Sequence, residues 1–104
     1  MQRVAFLMRI KPGTEAEYRR RHQQVWPEML SELRAAGCQN YSIYLQGLQL
    51  FAYFEVANFA RFRAYLASSS VSDRWETFMS DILEREVDPT TSFPFLLEEV
   101  FHLD

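Results

Sequence analysis

EYRRRHQQVWPEMLSELRAAGCQNYSIYL, residues 17–45, reads as a helix, a break, a second helix and the start of a strand. Tyr18 and His22 stand four residues apart and share one helical face, which Trp26 would join if the helix ran on unbroken. Pro27 argues against that continuation, because it has no amide proton and disfavours helical geometry in the residue before it. A kink or short break is therefore expected at Trp26, with Pro27 opening a second helix and Glu28 in its first turn. Met29, Leu30, Leu33 and Ala36 supply that helix with a buried stripe, and Gly37 is placed to cap its C-terminus. In NYSIYLQ, residues 40–46, the period changes to two: Tyr41, Ile43 and Leu45 alternate with Ser42, Tyr44 and Gln46.

Upstream, RVAFLMRI at residues 3–10 is apolar nearly throughout and suits a strand covered on both faces. Lys11-Pro12-Gly13 stops it, and Thr14 with Glu17 has the spacing of a capping box for the following helix. Downstream, residues 48–56 form a second strand after a hairpin near Gln46-Gly47. A helix is expected over residues 58–66, capped by Asn58, with Phe59, Phe62, Tyr65 and Leu66 inward. Ser68 to Ser70 interrupts it. A further helix is expected from Val71 to about Leu83, carrying Val71, Trp75, Phe78, Met79 and Ile82. Residues 88–94 read as a loop, and LLEEVFHLD at the end as a last strand using Leu97, Val100 and Phe101.

Strand, helix, strand, strand, helix, strand is the order of an α+β fold of the ferredoxin-like, split βαβ type: a four-stranded antiparallel sheet with helices on one face. The second face of such a sheet is apolar enough here to require cover from a partner's sheet or a closed pocket. The length of 104 residues allows a single domain over 1–104. With 48% apolar and 15% aromatic residues, the chain has more apolar surface than so small a core absorbs, which suits a homodimer, although a ligand pocket would absorb some of the same aromatics.

A net charge of -3 makes a nucleic-acid partner improbable on physical grounds, and the Arg19-Arg20-Arg21 run reads as solvated helix surface. Cys38 is the single cysteine, so no disulfide closes within the chain. MQRVAFLMRIK has too few consecutive apolar residues for a secretion signal and no run is long enough to span a membrane, so a cytoplasmic location is expected. His22 and His102 belong to no metal-binding spacing, the three glycines form no phosphate loop, and Ser68-Ser69-Ser70 lacks the setting of a nucleophile elbow.

The chemistry-bearing residues are Tyr18, His22, Trp26, Tyr41, Tyr44 and Trp75. An imidazole passes protons near neutral pH, a tyrosine hydroxyl donates or accepts, and an indole covers the apolar face of a sugar ring. Periodicity alone favours a plainer reading in which both tryptophans are core and His22 is a hydrogen-bonded surface or interface residue, because aromatics at helical spacing are usually packing.

The order Y-x-x-x-H, W-P-E and N-Y-x-I-x-L in residues 18–45, extended by DRWETFM and a terminal E-V-F-H-L, resembles the L-rhamnose mutarotases over essentially the full length. The resemblance implies a dimeric α+β barrel of two sheets packed face to face. It implies a catalytic, proton-donating His22, sugar contacts from Tyr18 and Tyr41, and a sugar-binding pair at Trp75 and Glu76. Glu76 replaces the second tryptophan usual in that family, residues 87–94 depart from its N-P-D-N-S-P loop, and the hairpin between Leu45 and Phe51 is one residue shorter. The implied activity is interconversion of the α and β anomers of a free aldose, L-rhamnose first, by acid/base-catalysed ring opening and closure with His22 as imidazolium. No carbon–hydrogen bond breaks in that reaction, so no cofactor or metal is required. Two alternatives remain open at this level: an oxygen-dependent monooxygenase on the same barrel, and a sugar-binding dimer without turnover.

Overall fold

The computed structural model describes residues 1–84 and 86–104. In chain order the elements are β1 (Gln2–Ile10), α1 (Glu15–Gln23), α2 (Pro27–Ala35), β2 (Gln39–Gln46), β3 (Gln49–Val56), α3 (Phe59–Ala67), α4 (Ser70–Met79) and β4 (Leu83–Glu84). A short ribbon of β5 (Val87–Asp88) and β6 (Phe93–Pro94) follows. The main sheet has the order β2-β3-β1-β4 and is antiparallel at every pairing, as expected for the split βαβ arrangement.

Period-two alternation decides which face each strand buries. Val4, Phe6 and Ile10 of β1 lie beside Leu50, Ala52, Phe54 and Val56 of β3 under the helices. Tyr18 of α1, Met29 of α2, Phe62 of α3, and Trp75 and Met79 of α4 close over them in two adjoining apolar clusters. Each such side chain removed from water contributes about 1.5–3 kcal/mol before entropy is charged against it. The other face of the sheet leaves Leu7, Tyr44 and Phe51 exposed.

The helix ends follow the local chemistry. Trp26 sits at φ -55°, ψ 133°, and α2 starts at Pro27, so the break falls where the proline requires it. Gly37, at φ +95°, ends α2 with a doubled cap: its N–H donates to the Arg34 carbonyl at 3.0 Å and that of Cys38 to Leu33 at 3.0 Å. Cys38 is buried beneath this turn, and burial pushes its thiol up to about 11, which keeps it protonated and inert. The Asn58 side chain accepts from the Arg61 N–H at 3.0 Å to start α3.

Four expectations are corrected. The capping box does not form: the Thr14 hydroxyl donates back to the Lys11 carbonyl at 2.6 Å, and Glu17 is engaged by Arg20 and Arg21. The last helix stops at Met79, and the fourth strand of the sheet is Leu83–Glu84, paired with Arg9 and Ile10. Among the described residues the terminal segment joins β1 through one isolated bridge, Leu96 opposite Phe6, and through Arg3 donating to Glu99, and it leaves Val100, Phe101 and Leu103 exposed. The arginine run is not all solvated. Arg21 donates to the Phe78 carbonyl at 2.8 Å and to Asp81 at 2.9 Å, and its guanidinium lies over the Phe78 ring, tying α1 to the end of α4.

Candidate active site

A cavity of about 410 Å³ opens between the helix-facing side of the sheet and helices α1, α2 and α4. Tyr18, His22, Tyr41, Trp75 and Glu76, from α1, β2 and α4, all line it. The remaining wall is largely apolar, with Met8, Met29, Leu33 and Ile43 prominent, a lining suited to a small ligand with polar contacts at few points. A shallower concavity of about 250 Å³ shares Tyr18, His22 and Ile43 with it, so the Tyr18–His22 pair stands between the two spaces.

The helical spacing of Tyr18 and His22 stacks their rings at 4.2 Å and 20° from parallel. The His22 Nδ1 lies 3.3 Å from the Tyr18 carbonyl, which can only accept, so Nδ1 carries the proton and Nε2 is left for other chemistry. Burial lowers the His22 pKa below 6.5, opposed only in part by that hydrogen bond. That shift favours the uncharged ring over the imidazolium that the family resemblance implies. Burial moves the Tyr18 phenol in the opposite sense, well above its ordinary value, so its hydroxyl keeps its proton and is available as a donor.

Tyr41 lies on the cavity side of β2 with Ile43, just after a bulge. Gln39 pairs with Glu55 and Ser42 with Tyr53, leaving two residues, Asn40 and Tyr41, opposite the single Phe54. Asn40 adopts φ +51°, which asparagine tolerates, and its Nδ2 donates to Glu55 at 2.6 Å. Tyr41 then lies 5.3 Å from the Phe54 ring, on the helix-facing side.

Trp75 is 8% exposed, sets its edge against His22 at 5.6 Å and packs on Trp26 at 5.1 Å. Trp75 is core on one side and cavity wall on the other. Trp26 stands behind it, away from the cavity lining. Tyr44 is not part of the site: it is 64% exposed on the opposite face of the sheet. The start of α4 is fixed by Ser69, whose hydroxyl donates to Glu32 while accepting from the Ser72 N–H at 3.1 Å.

Ser72, Phe93 and Pro94 also line the cavity without having been singled out in the sequence. Ser72 lies four residues before Glu76, the same helical spacing that joins Tyr18 and His22, and that spacing could have found it. Phe93 and Pro94 lie in the aromatic end of a segment that otherwise reads as loop. Among the described residues no group of three His, Cys, Asp or Glu side chains is arranged to hold a metal ion, and no helix is long and apolar enough to cross a membrane.

A sequence profile described as rhaM, L-rhamnose mutarotase, matches residues 3–103. An L-rhamnose mutarotase of Opitutus terrae is 43% identical over 108 residues, and one of Oceanobacillus iheyensis is 37% identical over 106, each alignment covering all of both chains. The crystal structure of an L-rhamnose mutarotase from Formosa agariphila superposes over the whole of both chains with a TM-score of 0.81 at 34% identity. The oxygen-dependent and binding-only alternatives find no support in these relatives. A full-length match in sequence, the same fold in a solved relative and one cavity gathering the expected residues lead to one assignment: the chain belongs to the L-rhamnose mutarotase family.

Proposed function

We propose that this protein is an isomerase that interconverts the α and β anomers of L-rhamnose in the 410 Å³ cavity, with His22 as the proton-transferring group. The observation that carries the reading is the convergence of Tyr18, His22, Tyr41, Trp75 and Glu76 on one small space, in a chain of this family.

The neutral His22 ring begins as a base. Its Nε2 takes the proton of the anomeric hydroxyl as the bond from C1 to the ring oxygen breaks, and the ring oxygen gains a proton relayed through Tyr41. The open-chain aldehyde rotates about its bond to C2. Ring closure on the other carbonyl face runs the transfers backwards: the hydroxyl that becomes the ring oxygen returns its proton to the relay, and the imidazolium formed in the first half protonates the carbonyl oxygen. The proton-donor role implied by the family resemblance thus belongs to the second half of the cycle. Tyr18, held protonated, orients a sugar hydroxyl and holds the imidazole through its carbonyl. Trp75 packs on an apolar ring face or the C6 methyl, and Glu76 binds a hydroxyl.

The active form is a homodimer in the cytoplasm, in which two sheets cover each other's open faces. The exposed Leu7, Tyr44 and Phe51, together with Val100, Phe101 and Leu103 of the terminal segment, supply the apolar area such contact needs. Exchange between the anomeric protons of L-rhamnose, followed by NMR with L-fucose, D-galactose and D-ribose for comparison, tests the activity. Exchange faster than the protein-free rate, greatest for L-rhamnose, is the expected result; no acceleration for L-rhamnose contradicts it.

A further inference from the structure

Ser72 lines the cavity one helical turn before Glu76 and is only 7% exposed. Its backbone N–H is engaged, donating to the Ser69 hydroxyl at 3.1 Å, but no hydrogen bond of its own hydroxyl is found among the described residues. Neighbouring serines differ: Ser68 donates to the Ala64 and Tyr65 carbonyls, Ser69 to Glu32, and Ser80 to the Thr77 carbonyl. Among the described residues Arg63 Nε is the buried side-chain polar atom left without a partner, and the Ser72 oxygen is not, so this hydroxyl keeps access to the cavity it lines, where a ligand can reach it.

We propose that Ser72 is a substrate-binding residue that holds a ring hydroxyl of the sugar and so helps decide which aldose fits. The assignment rests on the function proposed above. Tyr18, His22 and Tyr41 bring their chemistry from α1 and β2, whereas Ser72 and Glu76 bring theirs from α4, with Trp75 between them in sequence. A pyranose whose anomeric centre meets His22 therefore turns other hydroxyls toward α4. A serine hydroxyl both donates and accepts, so it can serve a sugar hydroxyl in either sense.

The test is Ser72→Ala in anomer-exchange kinetics with L-rhamnose and with analogues each lacking one ring hydroxyl. Alanine favours the helix and leaves the Ser72 backbone link to Ser69 in place, and a thermal melt checks the fold. The expected result is a loss of about tenfold in kcat/KM for L-rhamnose, mainly through KM. One analogue, lacking the hydroxyl Ser72 holds, should be turned over equally by wild type and variant. Equal kcat/KM for L-rhamnose, or the same loss with every analogue, overturns the assignment. If the wild-type protein does not accelerate exchange at all, the proposed activity fails separately, and titration with L-rhamnose reads Ser72 directly. About tenfold weaker binding by the variant then supports the assignment, and unchanged or absent binding overturns it.

Discussion

The imidazole of His22 lies on the ring of Tyr18, and its Nδ1 is 3.3 Å from the carbonyl of that same residue. One residue thus supplies the imidazole with a stacked platform and with the acceptor that fixes its tautomer. Because burial lowers the pKa of His22 below 6.5, protonation removes the base only at more acidic pH. The prediction is a plateau in kcat/KM at neutral pH and a decline on acidification governed by a group with a pKa below 6.5. The stability effect has the same sign. The unfolded chain takes up the proton at about 6.5 and the folded one only below that, so this residue's contribution is full above 6.5 and is lost as pH falls through the folded value. Paired pH profiles of exchange rate and urea midpoint, for the wild type and a histidine-free variant at position 22, check both.

Tyr18→Phe keeps the stacked ring and the carbonyl while deleting a buried donor. Its fold and melting temperature should be near those of the wild type, with kcat/KM reduced about tenfold. A rate equal to wild type would remove the hydroxyl from the site.

The bulge next to Tyr41 has a positive φ at Asn40 and a bond from Asn40 to Glu55. Asn40→Ala should lose about 1–2 kcal/mol, since alanine is strained in that conformation, and should also lower kcat/KM by displacing Tyr41. Asn40→Gly relieves the strain and should recover part of both. Denaturant midpoints and exchange kinetics measured on the same three proteins separate these outcomes.

Charged substitutions on the open face of the sheet test the dimer. Phe51→Glu with Tyr44→Arg should convert a particle of twice 12.4 kDa into one of 12.4 kDa in sedimentation, leaving helical content unchanged. A wild-type monomer at micromolar concentration would contradict the dimer.

Much of this architecture is legible because its signals are local. Pro27 sets the break at Trp26, Gly37 the end of α2, Asn58 the start of α3, and the alternation in β3 the buried face. The fourth strand is not legible, since two residues show no period and Ile82 continues the helical spacing of Trp75 and Met79. Thr14 and Glu17 match a capping box in spacing, but arginines one turn away compete for the glutamate. Of the residues that line the cavity, His22, Tyr18, Tyr41 and Trp75 stand out in the sequence by their order in the chain. The alternation of residues 41–46 already separates Tyr41 from Tyr44; which of the two faces carries the cavity is decided by how the helices pack on the sheet. The depressed pKa of His22 depends on what packs around it from α4, which no local pattern carries.

The most direct measurement is NMR exchange between the two anomers of L-rhamnose with the wild-type protein and with His22→Ala, compared with the protein-free rate. The account predicts clear acceleration by the wild type and a loss of roughly 10²–10⁴-fold in the variant, with the fold intact. Wild-type turnover in His22→Ala, or no acceleration by the unaltered protein, would contradict it.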